Sequence, residues 1–219
     1  RIGEPVAVTA FMMCHGHESW HPDPEFYYQE GGGPMFDMGP YYLTALVNLL
    51  GPVRRVTGMT QVSFPERRIT SAKKYGKKIN VEVPTLVAGI MEFEAGLTGM
   101  IVTTFDVWDH QMPYIEVYGS EGTLQCPNPN NYDGFPMVKR FDEDDWSEVP
   151  LLPGFSENSR GIGISDMANA FMNNVSFRAQ AELAYHVLDI MQAFYESAGS
   201  GRHIEIESSC CKPEPMRNA

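Results

Sequence analysis

TLVAGIMEF, EAG and LTGMIVTTF, which run without a break from Thr85 to Phe105, decide the fold. Two runs of β-branched and apolar residues flank a link that closes on Gly96, and a short glycine-containing link between such runs is a hairpin signal. Similar runs lie to either side: VRRVTGMTQVSF (53–64) before, and YIEVYG (114–119), GTLQC (122–126), PMVKRF (136–141) and SEVPLL (147–152) after. Consecutive strands with short links predict mainly antiparallel pairing, because a parallel neighbour needs a long crossover. PVAVTAFMM (5–13) reads as one more buried strand and HIEI (203–206) as a last short one.

Helical spacing appears in three places. In GGGPMFDMGPYYLTALVNLLGP (31–52) the glycines mark a loop and the stretch from about Asp37 to Leu50 reads as a helix. Pro40 suits only a first turn, which places the helix start just before it, and Gly51-Pro52 is a stop. SDMANAFMNNV (165–175) and AELAYHVLDIMQAFYESA (181–198) are the other two, with Leu183, Val187, Ile190 and Phe194 recurring on one stripe. The prediction is one α+β domain over residues 1–219, built as a large, mainly antiparallel (mixed), open-faced sheet with helices on one face. RRITSAKKYGKK (67–78) reads as an exposed basic loop, and FDEDDW (141–146) as a solvated turn between strands.

The formal net charge of −12 argues against nucleic acid, whose phosphates call for a basic surface, and against an acidic membrane surface. No apolar run is long enough to span a bilayer and the first residues lack a signal peptide's apolar stretch, so a cytoplasmic location is expected. Cys14, Cys126, Cys210 and Cys211 form no CxxC pair, and reduced thiols are expected.

Asp37 and Tyr41 stand four apart, so a helix presents them on one face, where a carboxylate and a phenol can orient a substrate hydroxyl and exchange its proton. Gly32 and Gly33 just upstream leave room for a ligand. The plainer alternative has Asp37 capping the helix and Tyr41 packed under the sheet. A tyrosine acting as base, with an unperturbed pKa of about 10, needs a cation nearby. Cys14, His15, His17 and His21 offer donors suited to zinc, with His15 and His17 able to share a face, although their spacing matches no standard zinc pattern. The alternative for the His15–His21 loop is to overhang a pocket, with Trp20 and His21 contacting a sugar or polyol. GIGISD (161–166) is a poor dinucleotide turn, with an acid at the third glycine's place, and His186 reads as a satisfied core histidine.

GGGPMFDMGPYYLTALVNLLGPV (31–53) resembles the glycine-rich, Asp-x-x-x-His/Tyr helix of the glucose–fructose oxidoreductase, inositol dehydrogenase and MocA family. YIEVYGSEGTL (114–124), RGIGISDMANAF (160–171) and ELAYHVLDIM (182–191) extend the likeness over nearly the whole chain. The resemblance implies a C-terminal substrate-binding and oligomerisation domain, with NAD or NADP held by an N-terminal Rossmann domain absent from this chain. It implies a sugar or polyol substrate and a homodimer or homotetramer assembled through the open sheet face. Asp37 matches the family's aspartate, and Tyr41 falls where many members carry histidine. The family's catalytic lysine, in a Glu-Lys-Pro motif, belongs to the missing domain, so the isolated chain is expected to be inactive. A non-catalytic assembly module is the second reading, and a metal-binding protein using Cys14, His15, His17 and His21 the third.

Overall fold

In a computed structural model, which describes residues 2–131, 134–151 and 160–215, the chain forms β1 (Pro5–Met13), α1 (Pro34–Leu50), β2 (Val53–Gln61), β3 (Glu66–Arg68), β4 (Lys78–Asn80), β5 (Leu86–Phe93), β6 (Thr98–Thr104), β7 (Ile115–Gly119), β8 (Gly122–Cys126), β9 (Met137–Arg140), β10 (Ser147–Glu148), α2 (Ile162–Asn173), α3 (Ala181–Ser200) and β11 (Ile204–Glu205). The link through Gly96 is the expected hairpin: β5 and β6 pair antiparallel from Leu86 opposite Thr104 to Glu92 opposite Thr98. Nine strands form one sheet in the order β10-β9-β8-β7-β1-β6-β5-β2-β11. Every pairing in it is antiparallel except β1 with β6, so the sheet is mixed by one seam.

Alternation along the strands sets the two faces. Val8, Ala10 and Met12 of β1 point to the core with Val87, Met91 and Phe93 of β5 and Ile101 of β6. The apolar stripes of α1 and α3 complete that core, and Leu183, Val187, Ile190 and Phe194 are all buried, as their spacing predicts. Each such side chain contributes about 1.5–3 kcal/mol on burial. Phe194 lies against Gly58 of β2 and Gly89 of β5, which face each other across the ladder. A Cβ on Gly89 would stand 2.3 Å from the Phe194 ring, so the helix can press onto the sheet only where side chains are missing. On the opposite face from α1 and α3, Ile90, Met100 and Met59 stand exposed.

Two sequence expectations need correction. The helix begins at Pro34, not just before Pro40, because Pro34 already fills the first position; Pro40 sits inside the helix, where it removes one ladder hydrogen bond. Residues 67–78 are not simply an exposed loop. β3 and β4 pair antiparallel from Glu66 opposite Asn80 to Arg68 opposite Lys78, and Arg67 and Ile69 are buried. The lysines of this hairpin reach the loop before α1: Lys73 bonds Asp23 at 2.6 Å, and Lys74 and Lys77 bond Glu25 at 2.5 and 2.9 Å. Those contacts hold the Glu25 carboxyl down to about 2. The run 147–152 contributes only Ser147–Glu148 as strand, and Leu152 lies outside the described residues. FDEDDW is the solvated turn between β9 and β10. Among the described residues no helix is long and apolar enough to cross a membrane.

Candidate functional site

β1 and β6 run parallel, so the loops that follow them leave the sheet at the same edge, beside the start of α1. The first of these loops turns at Gly16, whose φ of +81° belongs to the left-handed region. A Cβ there would lie 2.2 Å from the Tyr28 hydroxyl and 2.4 Å from the Glu18 carboxylate, so both backbone and space call for glycine. The turn sends His15 and His17 to different surroundings. His15 stacks on Trp108, with ring centroids 3.4 Å apart. His17 instead places Nε2 3.2 Å from Oδ2 of Asp37.

His17 is packed on three further sides by rings: Tyr27 at 3.9 Å, Phe105 at 4.7 Å and Trp20 at 5.3 Å between centroids. Burial, with Asp37 and Tyr41 adding to it, raises the Tyr27 phenol above its ordinary value, so these three groups share one local field. Asp37 occupies the first turn of α1, where the helix dipole favours a carboxylate. It is not the cap: Gly33 is, and the Asp37 amide donates to the Gly33 carbonyl at 3.0 Å. Nor does Tyr41 pack under the sheet. Its neighbour Tyr42 does, at 1% exposure, while Tyr41 stands 38% exposed.

The other candidates surround this pair. Trp20 is exposed and edge-on to both His17 and His21. His21 accepts the Asp23 amide at Nδ1 (3.1 Å) and lies edge-on to Tyr27 and Phe26. The Gly32 and Gly33 amides donate to the carbonyls of Gln29 (2.8 Å) and Tyr27 (2.7 Å), tying the loop into the helix start. Cys14, His15, His17 and His21 do not converge: among the described residues, no group of three or more His, Cys, Asp and Glu side chains is arranged to hold a metal ion. Burial chiefly pushes the Cys14 thiol up, away from the thiolate a metal would need.

Beneath the loops lies a charge network that sequence reasoning missed. Arg67 donates to Glu18 at 3.1 Å, to the carbonyls of Phe105 (2.7 Å) and His15 (3.4 Å), and to Asp106. The Thr85 hydroxyl donates to the second Asp106 oxygen at 2.8 Å. One guanidinium thereby joins the β3–β4 hairpin to the ends of β1 and β6. The sequence offers His17 only as a metal donor or a loop residue; the one signal for its contact with Asp37 is Gly16, whose turn separates it from His15.

An open-faced mixed sheet with helices packed on one face, and a carboxylate, imidazole and phenol gathered where β1 and β6 end, defines an α+β domain. The chain belongs to the family described as the GFO/IDH/MocA C-terminal domain, which matches residues 1–125. It is similar to D-xylose 1-dehydrogenase (NADP(+)) 2 of Haloferax volcanii, 24% identical over 209 residues that cover 94% of this chain and 58% of that protein. Among solved structures, levoglucosan dehydrogenase in complex with NADH and L-sorbose superposes with a TM-score of 0.75 at 20% identity, over 94% of this chain and 60% of that one. An NAD binding oxidoreductase from Klebsiella pneumoniae gives 0.73 at 21% identity, over 95% and 60%. These structural likenesses establish the fold, and the chain spans about three-fifths of each relative's length.

Proposed function

We propose that this chain is the substrate-binding domain of an NAD(P)-dependent oxidoreductase that acts on a CH–OH group of a sugar, a polyol or a related alcohol. The observation that carries the reading is the placement of Asp37, bonded on one oxygen by His17 and sharing a helix face with the exposed Tyr41. Asp37 orients the substrate hydroxyl through its remaining acceptor sites, and His17 holds the carboxylate in place. Tyr41 takes or returns the hydroxyl proton. Trp20 and His21 contact the substrate from the overhanging loop, and Gly32 and Gly33 keep the approach beside the helix start open.

The residues described here do not fit a dinucleotide. Where the third glycine of a phosphate-binding turn would stand, GIGISD has Asp166, and that carboxylate is occupied by the Arg178 amide at 2.9 Å and by its guanidinium. In this reading NAD or NADP, which accepts or supplies the hydride, is held by a separate nucleotide-binding domain, and the isolated chain is inactive. The names of the relatives, a xylose and a levoglucosan dehydrogenase, support the substrate class. The uncovered sheet face, with Ile90, Met100 and Met59 exposed, supports assembly of a homodimer or homotetramer.

In the full-length enzyme, Tyr41→Phe and Asp37→Asn are each expected to lower turnover by roughly 10²–10⁴-fold. Cofactor affinity, followed by nucleotide fluorescence, stays unchanged. Full activity in both variants would overturn the assignment.

A further inference from the structure

We infer that the cavity on the far side of Gly16 from His17 is a subsite for a second sugar ring, so that the substrate is a disaccharide or glycoside. This rests on the reading that the substrate is a carbohydrate. The cavity has a volume of about 620 Å³, and His15, Glu18, Phe64, Arg67, Arg68 and Trp108 line it. That volume falls within the roughly 300–1,000 Å³ of small-ligand sites.

Trp108 is the first reason for assigning a sugar. Its side chain is 82% exposed, yet its indole is not loose: it lies flat on the His15 imidazole, at an interplanar angle of 14°. Phe64 meets the same imidazole edge-on at 6.2 Å. A held indole with one open face is a platform set before any ligand arrives, which removes an ordering cost from binding. The C–H face of a pyranose carries partial positive charge and seats on the negative face of such a ring.

Charge is the second reason. The buried Arg67 is matched by Glu18 and Asp106, and the carboxylate of Glu66 stands with Arg68 among the lining residues, so the cavity wall carries no net positive charge to select a phosphate or carboxylate. It does have unused donors. Arg68 lines the cavity and makes no ion pair among the described residues. Thr70 adds a hydroxyl on the same wall. Donors around an aromatic floor, with charge balanced, suit the hydroxyls of a neutral sugar.

Position is the third. Only Gly16 separates His15, on the platform, from His17, bonded to Asp37. Phe105, against His17, and Trp108, against His15, leave the end of β6 within one short loop. A ring on Trp108 and a ring at Asp37 are therefore neighbours, which is the relation of two glycosidically linked sugars.

Isothermal titration calorimetry of the chain with D-glucose, maltose and cellobiose tests this. At least one disaccharide is expected to bind ten-fold or more tightly than glucose. Trp108→Ala should erase that gain while leaving the denaturation midpoint in place, because the indole is mostly exposed. Asp37→Asn should preserve the ratio between disaccharide and glucose. Equal binding of the three sugars, no binding at all, or a gain that survives Trp108→Ala would overturn the subsite. A chain that shows the gain while Asp37→Asn and Tyr41→Phe enzymes keep full turnover would instead remove the catalytic assignment and leave the subsite standing.

Discussion

Where α3 crosses β2, and where the loops after β1 and β6 meet, polar groups are buried in two different ways. At the crossing, the bonds made by His186 and Ser197 are neutral and closed, and Ser208, which faces His186, is held in turn by the Asp189 carboxylate. His186 accepts the Val53 amide at Nε2 (3.0 Å), which puts its proton on Nδ1, facing the Ser208 carbonyl and hydroxyl at 3.1 and 3.0 Å. The Ser197 hydroxyl accepts the Gly58 amide and donates to the Arg202 carbonyl. At the loop edge, Arg67, Glu18 and Asp106 are charged and buried together, and Arg67 Nε and Thr103 Oγ1 have no partner. A closed neutral network is content to be left alone. Buried charge and spare donors are costly unless a ligand or a fixed loop geometry uses them. The difference separates two histidines: His186, with its bonds complete, serves the packing of α3 on β2, whereas His17, on a carboxylate at the half-open edge, stands among the candidate site residues.

The comparison breaks most sharply at Arg67. Arg67→Met strands Glu18 and Asp106 as buried carboxylates, and urea denaturation should show a loss of about 3–5 kcal/mol. A loss below 1 kcal/mol would mean that the edge is not held by charge.

His186→Leu is next. It leaves the Val53 amide and the Ser208 carbonyl short of partners, an expected loss of about 1–3 kcal/mol. Burial lowers the His186 pKa from its ordinary 6.5. The neutral ring's contribution is therefore complete above about pH 6.5, where the unfolded histidine is also neutral, and falls as pH drops through the depressed folded value. Denaturation midpoints between pH 7.5 and 5 should decline more steeply in the wild type than in His186→Leu; parallel profiles would remove this account.

The smallest effect is expected on the uncovered face. Ile90→Lys should change the stability of the folded chain by no more than about 0.5 kcal/mol. Sedimentation equilibrium should find the wild type associated, as the proposed assembly requires, and Ile90→Lys monomeric. Unchanged association would mean that the face joins nothing.

How much of this was legible in the sequence follows from the range over which each feature is encoded. Local patterns read well: the hairpin through Gly96, the α3 stripe ending at Phe194, and the stop at Gly51 each depend on a few adjacent residues. The start of α1 was misplaced because two prolines compete for a first turn, and only Pro34 takes it. The β3–β4 hairpin was hidden by its lysines, which look like a solvated loop although Arg67 between them is buried. Asp37 and Tyr41 were visible because helical spacing places both on one face. The His17–Asp37 contact was not, since it depends on a backbone turn at Gly16 and a separation of 20 residues. The Arg67 network is further still from local pattern, because its partners at positions 18 and 106 lie on either side of it in the chain.

The parallel seam between β1 and β6 has a consequence for how the molecule comes to be made. β1 sits at the centre of the sheet, between β6 and β7, and neither neighbour exists on a growing polypeptide until Thr98 and Ile115 have been added. Meanwhile β2 and β5, both complete by Phe93, can already pair with each other. The strand that bears PVAVTAFMM must then wait, apolar and unpaired, for a slot that opens late. Long-range pairing of this kind is slow and leaves a sticky segment uncovered in the interval. Folding yield during synthesis, more than final stability, is where this topology is expected to show its effect.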